Sequence, residues 1–224
     1  MLDQMESHMN IVFDLDGTLI DSAPDIHSAV AKMLADEGRA ALDLPTVTSF
    51  IGNGLPKLVE RVIVCVGMDI ADHPRLTKAT LDHYNAAPAA LTRPYLGVIE
   101  ALTVFQSAGH LMAVCTNKPV APARAILRDL GLERFFQVVI GGDSLPVTKP
   151  DPAPLHACIS QLGKGLTVYV GDSEVDAATA AAAKVPFALF TEGYRKTPVS
   201  DLPHDATFSS FHKLPSVLAE MGLE

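Results

Sequence analysis

The chain has 224 residues, 48% of them hydrophobic, and its 26 Asp and Glu outnumber 17 Lys and Arg to give a formal charge of −9. This length and composition predict a soluble globular protein with one large domain, or one domain that carries a small insertion. The acidic balance and the lack of a basic run disfavour nucleic acid and anionic membranes as partners.

The N-terminal segment and the cysteines bear on where the protein works. Residues 1–10 do not show the basic region and apolar run of a signal peptide, and no stretch reaches the roughly 18 apolar residues of a membrane span. Cys65, Cys115 and Cys158 have neither CxxC nor zinc-site spacing, which favours reduced thiols. We therefore expect a cytoplasmic protein. Residues 1–8, which end in Ser-His, resemble a cloning remnant rather than native sequence.

Apolar, β-branched runs separated by segments of helical period dominate most of the chain. Buried parallel strands give such runs. The runs occupy residues 10–13, 111–115, 137–140, 166–170 and 186–190. Helical periodicity lies between them at residues 98–106, 119–130, 154–162 and 175–183. This alternation predicts an α/β fold with a doubly wound, mainly parallel, Rossmann-like sheet.

Residues 22–90 interrupt this alternation. They contain no convincing strand and instead show helical segments that include residues 25–37 and 55–66. We therefore expect a Rossmann-like core of residues 9–21 and 91–224, with residues 22–90 forming a small α-helical domain inserted after the first strand. The chain crosses between the two parts twice, an arrangement that suits a hinge.

Polar residues follow or lie near four of the predicted strands, and the carboxyl ends of parallel strands form the ligand-binding edge of such a sheet. The segments are Asp14-Leu15-Asp16-Gly17-Thr18, Thr116-Asn117-Lys118, Lys149-Pro150 and Gly171-Asp172-Ser173-Glu174-Val175-Asp176. Clustered carboxylates repel one another and need a cation, and an all-oxygen ligand set suits Mg²⁺. Asp14 and Asp172 are the expected ligands, with Asp176 as a further candidate.

The same edge of the sheet offers groups that suit a phosphate ester. Lys149 supplies positive charge, and Thr116 and Asn117 supply hydrogen-bond donors for phosphate oxygens. Backbone amides around Gly17 add further donors. The combination predicts a site for phosphoryl transfer.

Asp14 and Asp16 lie two residues apart, and the glycine that follows them permits a tight turn that separates their roles. One carboxylate can attack phosphorus to give an aspartyl phosphate. The other can protonate the leaving alcohol and then activate water. The pair therefore suits ester hydrolysis in two displacements.

In chain order, DxDGT, a strand-end Thr-Asn, a Lys-Pro and GDxxxD resemble the four motifs of the haloacid dehalogenase superfamily. The resemblance covers nearly the whole chain. It implies that Asp14 is the nucleophile and Asp16 the general acid and base. It also implies that Thr116, Asn117 and Lys149 hold the phosphoryl group.

The resemblance further implies a set of magnesium ligands and a lid. The ligands would be the Asp14 carboxylate, the Asp16 backbone carbonyl and Asp172, with Asp176 bound through water or supporting the other ligands. The helical insertion resembles the α-helical cap of the superfamily, which closes over the substrate. Closure would exclude water during the first displacement.

Three shorter stretches, at residues 50–54, 115–119 and 138–143, resemble bacterial phosphoglycolate phosphatases of this superfamily. Gly193-Tyr194, after the fifth predicted strand, matches the glycine-tyrosine of those enzymes. The resemblance implies hydrolysis of 2-phosphoglycolate to glycolate and phosphate.

The insertion contains candidates for binding a small carboxylate. Gly52-Asn53-Gly54 offers amides, and Lys57 and Arg61 lie four residues apart on one predicted helix face. These charges are equally compatible with an ordinary surface. Lys118 is expected to face solvent.

Other functions remain open. A β-phosphoglucomutase-like phosphotransferase shares all four motifs, and a sugar-phosphate or nucleotide phosphatase of the same superfamily is a further alternative. Asp16 disfavours a dehalogenase, and the intact motifs disfavour a non-catalytic protein that only binds a phosphate ligand. We expect a small phosphorylated metabolite as the partner and a monomer or homodimer as the working form. Asp21 and Ser22 are expected to cap the first helix of the insertion.

Overall fold

The computed structural model describes residues 8–86 and 90–222. Residues 1–7 of the expected cloning remnant and residues 87–89 of the expected cap lie outside this part of the chain.

Six parallel strands form the central sheet, and two short strands form a separate antiparallel ribbon. The strands are β1 (Met9–Phe13), β2 (Ile20–Asp21), β3 (Arg93–Pro94), β4 (Leu111–Cys115), β5 (Val138–Ile140), β6 (Leu166–Gly171), β7 (Phe187–Phe190) and β8 (Ala206–Phe208). The spatial order in the sheet is β5-β4-β1-β6-β7-β8, and β2 pairs with β3. The doubly wound parallel α/β fold predicted from the sequence is confirmed, whereas β8 and the β2–β3 ribbon were not predicted.

Nine α-helices lie in the described residues. They are α1 (Ala23–Asp36), α2 (Leu44–Thr48), α3 (Leu55–Val66), α4 (His73–Ala86), α5 (Val98–Ser107), α6 (Val120–Asp129), α7 (Ala153–Leu162), α8 (Glu174–Ala183) and α9 (Leu214–Glu220). Helix α3 has the bounds that the sequence predicts. Over residues 8–86 and 90–222, no helix is both long and apolar enough to cross a membrane.

Helices cover both faces of the sheet because successive side chains of a strand point to opposite faces. In β1, Ile11 and Phe13 join a hydrophobic cluster with residues of α5, α6 and α9, while Val12 joins a second cluster with residues of α7 and α8. Every residue of β1 is buried. A strand buried on both sides reads as a continuous apolar run, which explains why the sequence predicted it.

Helices α1 to α4 form a separate hydrophobic cluster, in which α4 packs against α1 and α3. The chain leaves the core after β2 and returns through β3, and the pairing of Ile20 with Pro94 holds these two crossings side by side. The buried Asp25 carboxylate of α1 accepts hydrogen bonds from the Leu91 amide and from the amide and hydroxyl of Thr92. Helix α1 is thereby hydrogen-bonded to the chain just before β3.

Candidate active site

Three neighbouring strands bring their carboxyl ends to one place. Strand β1 pairs with β4 on one side and β6 on the other. Asp14 directly follows β1, Thr116 follows β4 and Asp172 follows β6. The parallel register therefore places these three side chains together, as the sequence predicts.

Asp14, Asp172 and Asp176 form a buried acidic cluster in which one oxygen from each lies within 4.8 Å of the others. Burial, followed by the charge of Asp176, raises the pKa of Asp14 to about 7. Burial and then the charges of Asp176 and Asp14 raise the pKa of Asp172 well above its usual value. Carboxylates in this setting stay ionised only beside a cation, and an all-oxygen set suits a hard divalent ion. The donor set therefore fits a metal.

Lys149 supplies one positive charge to this cluster. Its Nζ lies 2.9 Å from Asp14 Oδ1 and 2.7 Å from Asp176 Oδ1, and it donates a hydrogen bond to the Tyr169 hydroxyl at 2.8 Å. Burial opposes the charge of the ammonium, but the attraction of the two aspartates outweighs it and holds the pKa of Lys149 above its usual value. The lysine is therefore a permanent cation at the edge of the sheet.

Both oxygens of Asp176 are already occupied. Oδ1 accepts from Lys149 and, at 2.6 Å, from the Tyr169 hydroxyl. Oδ2 accepts from the Asp172 amide and from the amide and hydroxyl of Ser173, which caps the start of α8 in return. Although burial opposes ionisation, Lys149 and these donors hold the pKa of Asp176 below its usual value. This carboxylate is thus positioned to orient Lys149 and Asp172.

Asp172 is held by residues from two loops. Its Oδ1 accepts from the Thr18 hydroxyl at 2.7 Å, and its Oδ2 accepts from the Tyr194 amide at 2.6 Å. Gly17 has φ +90°, and a Cβ at this position would lie 2.6 Å from Asp172 Oδ2. The Gly17 amide donates a hydrogen bond to the Ile20 carbonyl. Because glycine has no side chain, its turn can approach Asp172 closely.

Asp16 and Lys118 form an ion pair beside the acidic cluster. Lys118 Nζ lies 3.0 Å from Asp16 Oδ1, which also accepts from the Ser22 hydroxyl at 2.6 Å. The prediction that Lys118 faces solvent is wrong, because its side chain is only 9% exposed and lies against the ring of Tyr84 from α4. Burial opposes the charge of Lys118, but Asp16 outweighs it and raises the pKa of the ammonium.

The start of α1 is capped by different atoms from those expected. The Ser22 side chain makes no capping hydrogen bond, because it is directed to Asp16. Instead the Tyr194 hydroxyl accepts from the Ser22 and Ala23 amides and donates to Asp21. The Asp21 carboxylate does accept from the Ala23 amide, at 3.3 Å, so the prediction holds for Asp21 but is wrong for Ser22.

Thr116 and Asn117 differ in what they offer to a ligand. Thr116 is buried, its Oγ1 accepts from the Lys118 amide, and its hydroxyl hydrogen has no acceptor among the described residues. The Asn117 side chain donates to the Gly52 and Lys149 carbonyls and accepts from the Lys149 amide. Thr116 is therefore free to donate to a ligand, while the Asn117 side chain joins the core to the loop that precedes α3.

The residues singled out in the predicted cap are only partly brought to the site. Arg61 donates to the Phe50 carbonyl at 2.7 Å and to the Asn53 side chain at 2.8 Å. Lys57 pairs with Glu60 at 2.6 Å on an exposed surface. Arg61 and Asn53 line a cavity that reaches the acidic cluster, whereas Lys57 lines neither of the two cavities at the site.

Two adjoining cavities open onto Asp14 and Asp16. The first cavity is lined on the core side by Thr116, Lys118 and Lys149 and on the side of helices α1 to α4 by apolar residues and Tyr84. The apolar residues are Ile26, Ile51, Leu55, Leu58 and Leu81. The second cavity is lined by Asp172 and Ser173 and, from other segments, by Asn53, Arg61 and Lys196.

Comparison with known proteins assigns this architecture to a family. The model of the haloacid dehalogenase-like hydrolases matches residues 11–190, which include the carboxyl ends of β1, β4 and β6 and the side chains that follow them. The chain belongs to the haloacid dehalogenase-like hydrolase family, as its motifs predicted.

Individual relatives indicate which class of enzyme within this family the protein belongs to. A phosphoglycolate phosphatase from Cereibacter sphaeroides is 50% identical over 94% of this chain and 98% of the relative. One from Rhodobacter capsulatus is 44% identical over 93% of this chain and 95% of the relative. The crystal structure of a predicted phosphoglycolate phosphatase from Haemophilus somnus superposes with a TM-score of 0.89 at 28% identity, covering 96% and 99% of the two chains. The protein is therefore a phosphatase, which confirms the enzyme class expected from the sequence.

Proposed function

We propose that the protein is a magnesium-dependent phosphomonoesterase that hydrolyses 2-phosphoglycolate through an aspartyl phosphate on Asp14. The observation that carries the proposal is the meeting of Asp14, Lys149 and the free Thr116 hydroxyl in one cavity, beside the acidic cluster. A phosphoryl group there would find a nucleophile, a cation and a hydrogen-bond donor together.

The metal site would consist of the Asp14 carboxylate, the Asp16 backbone carbonyl and the Asp172 carboxylate. When bound there, Mg²⁺ would neutralise the carboxylates and stabilise negative charge on the phosphoryl oxygens. Asp176 would support this site without binding the ion directly, since both of its oxygens already accept hydrogen bonds. It orients Lys149 and the start of α8 instead.

Asp14 and Asp16 would have different roles in the reaction. An Asp14 oxygen attacks phosphorus, the ester bond breaks, and Asp16 donates a proton to the leaving glycolate oxygen. Asp16 then takes a proton from water, which attacks the aspartyl phosphate and releases phosphate and the free Asp14 carboxylate. The Ser22 hydroxyl and Lys118 hold the Asp16 side chain beside Asp14 for both steps.

The lining of the first cavity supports a small substrate. Its cap side is formed largely by Ile26, Leu55, Leu58 and other apolar side chains. Sugar hydroxyls buried against such a wall would lack hydrogen-bond partners, which is unfavourable. A two-carbon acid has no such hydroxyls, and the relatives named above are phosphoglycolate phosphatases. A phosphoglucomutase-like reaction finds less support because this wall offers few partners to a sugar.

Residues 22–90 would act as the cap of this enzyme. The two crossings at β2 and β3, together with the hydrogen bonds of Asp25, form the hinge region. Asn117 links the core to the Gly52 carbonyl of the cap. The cap would thus close the first cavity over the ester and keep bulk water away from the first displacement.

Acid-quench labelling with [³²P]2-phosphoglycolate tests the covalent mechanism. We expect the chain to carry label early in the reaction with Mg²⁺, and to carry none after treatment with a chelator. Asp14→Asn should carry no label and lose at least about a thousandfold in turnover, with an unchanged circular dichroism spectrum. A labelled Asp14→Asn protein would show that another residue is the nucleophile.

A further inference from the structure

Lys118 is a buried cation that lines the first cavity of the site. An ammonium group has three hydrogen-bond donors, and the Lys118 ammonium contacts the two Asp16 oxygens at 3.0 and 3.3 Å. One face of the group lies over the Tyr84 ring, 4.7 Å from its centroid. Because Lys118 lines the first cavity, an anion bound there would meet a buried cation beside Asp16.

Tyr84, which contacts Lys118, provides a second indication of a ligand at this place. The residue is only 8% exposed, and its hydroxyl has no hydrogen-bond partner among the described residues. Buried hydroxyls without a partner are unfavourable and rare in folded proteins. Tyr84 lines the first cavity together with Lys118, so an acceptor in that cavity would satisfy both groups.

We propose that Lys118 and Tyr84 bind the carboxylate of the substrate and thereby set the preference for a phosphorylated acid. This inference rests on the proposed function, in which Asp16 protonates the ester oxygen of 2-phosphoglycolate. The carboxyl carbon of that substrate lies only two bonds, about 2.5 Å, from the ester oxygen. The carboxylate must therefore sit close to Asp16, and Lys118 is the cation in contact with Asp16.

Lys196 and Arg61 are the rival cations, and their position is less suitable. Both line only the second cavity, which is not lined by Thr116 or Lys149. The Arg61 guanidinium already donates to the Phe50 carbonyl and to Asn53. A substrate as short as 2-phosphoglycolate, held by Thr116 and Lys149 through its phosphoryl group, would place its second anionic group in the first cavity.

Steady-state kinetics with two esters tests the proposal. Ethyl phosphate has the two-carbon skeleton of 2-phosphoglycolate with a methyl group in place of the carboxylate. The readout is the ratio of kcat/KM for 2-phosphoglycolate to kcat/KM for ethyl phosphate. Because Lys118 also holds Asp16, its loss is expected to slow both esters, but that effect cancels in the ratio.

We expect Lys118→Met to lower the ratio by about 10- to 100-fold, mainly through the KM for 2-phosphoglycolate. Lys118→Arg should keep most of the preference. Tyr84→Phe should lower the ratio several-fold and provides the test if Lys118→Met does not fold. Lys78→Met is the matched control, because Lys78 lies on the same cap helix as Tyr84, is 77% exposed and pairs with Asp82.

Different results of this experiment would contradict the inference and the proposed function. If the wild-type enzyme prefers 2-phosphoglycolate and folded Lys118→Met keeps that preference, the carboxylate is bound elsewhere and the inference is wrong. Loss of the preference in Arg61→Met but not in Lys118→Met would also overturn it. If the wild-type enzyme shows no preference between the two esters, the proposed substrate itself is wrong and the inference falls with it.

Discussion

Asp14 is a buried carboxyl group, and the proposed mechanism requires it to be ionised. Burial and Asp176 raise its pKa to about 7, whereas the ordinary value is 3.8. The folded protein without metal therefore holds this proton more tightly than the unfolded chain does. Ionising Asp14 destabilises the metal-free fold, and this cost grows as pH rises through the interval between the two values.

The cost of ionising Asp14 predicts that the difference in stability between wild type and Asp14→Asn depends on pH when both are measured with a chelator present. The amide introduced by Asp14→Asn cannot ionise, so the variant should gain stability relative to wild type as pH rises from about 4 to about 7. Urea unfolding at several pH values measures the difference. Added Mg²⁺ should stabilise wild type more than the variant. A stability difference that does not change with pH would contradict the raised pKa of Asp14.

The site leaves no room for a side chain at Gly17. Gly17→Ala would place a Cβ 2.6 Å from Asp172 Oδ2 and displace that carboxylate, so we expect turnover and apparent Mg²⁺ affinity to fall by at least about tenfold. Gly109→Ala is the matched control, because Gly109 has a similar φ of +80° but no atom within 4 Å of its Cβ position. Gly109→Ala should lose about 1 kcal/mol of stability through its positive φ, Gly17→Ala should lose more because of the added clash, and only Gly17→Ala should lose activity. Equal activity in the two variants would contradict the packing argument.

The sequence predicted the residues that carry charge at strand ends but not the aromatic residues that orient them. Asp14 and Asp172 stand in short motifs directly after apolar runs, so local pattern is sufficient to find them. Tyr169 lies inside a buried strand and its sequence pattern is that of core packing, yet its hydroxyl reaches Lys149 and Asp176. The burial of Lys118 was missed for the same reason, since it depends on contact with Tyr84 from a helix distant in the chain.

Among the elements, helix α1 depends on an unusual cap. The Tyr194 hydroxyl accepts from the Ser22 and Ala23 amides at 2.8 and 3.0 Å. Tyr194 also donates its amide hydrogen to Asp172. Tyr194, which follows β7, thus links the start of helix α1 to the acidic cluster.

Tyr194→Phe is predicted to destabilise the fold by about 1–3 kcal/mol, because it removes the acceptor for amides at the start of α1. Urea unfolding measures this change. Tyr84→Phe is the matched control, since the Tyr84 hydroxyl has no partner among the described residues, and its stability should equal or exceed that of wild type. Equal stability of the two variants would show that the Tyr194 hydroxyl does not stabilise α1.

The elements that the sequence failed to predict are short. Strand β8 has three residues, of which only Phe208 is buried, and β2 and β3 have two residues each. Runs of this length show no period. Their pairing depends on neighbouring strands: β8 joins the sheet beside β7, and β2 and β3 meet only because the chain crosses twice at the same edge. The long buried strands, by contrast, were predicted to within a residue or two.

At the scale of the whole molecule, the core and the helices α1 to α4 contribute different parts of one site. The core supplies the charged groups around Asp14, and the helical part supplies an apolar wall together with Tyr84. The ester would be held by charge on one side and enclosed by apolar surface on the other. This division favours a small anionic ester over a large hydroxylated one.

Phosphate release from a panel of esters is the measurement that tests this account most directly. The panel contains 2-phosphoglycolate, sugar phosphates, nucleoside monophosphates and pyrophosphate, each with and without Mg²⁺. The account predicts magnesium-dependent release, with kcat/KM for 2-phosphoglycolate at least about tenfold above that of any other compound. Release from the other compounds but not from 2-phosphoglycolate would contradict the proposed substrate, and equal release after removal of all metal would contradict the proposed role of the acidic cluster.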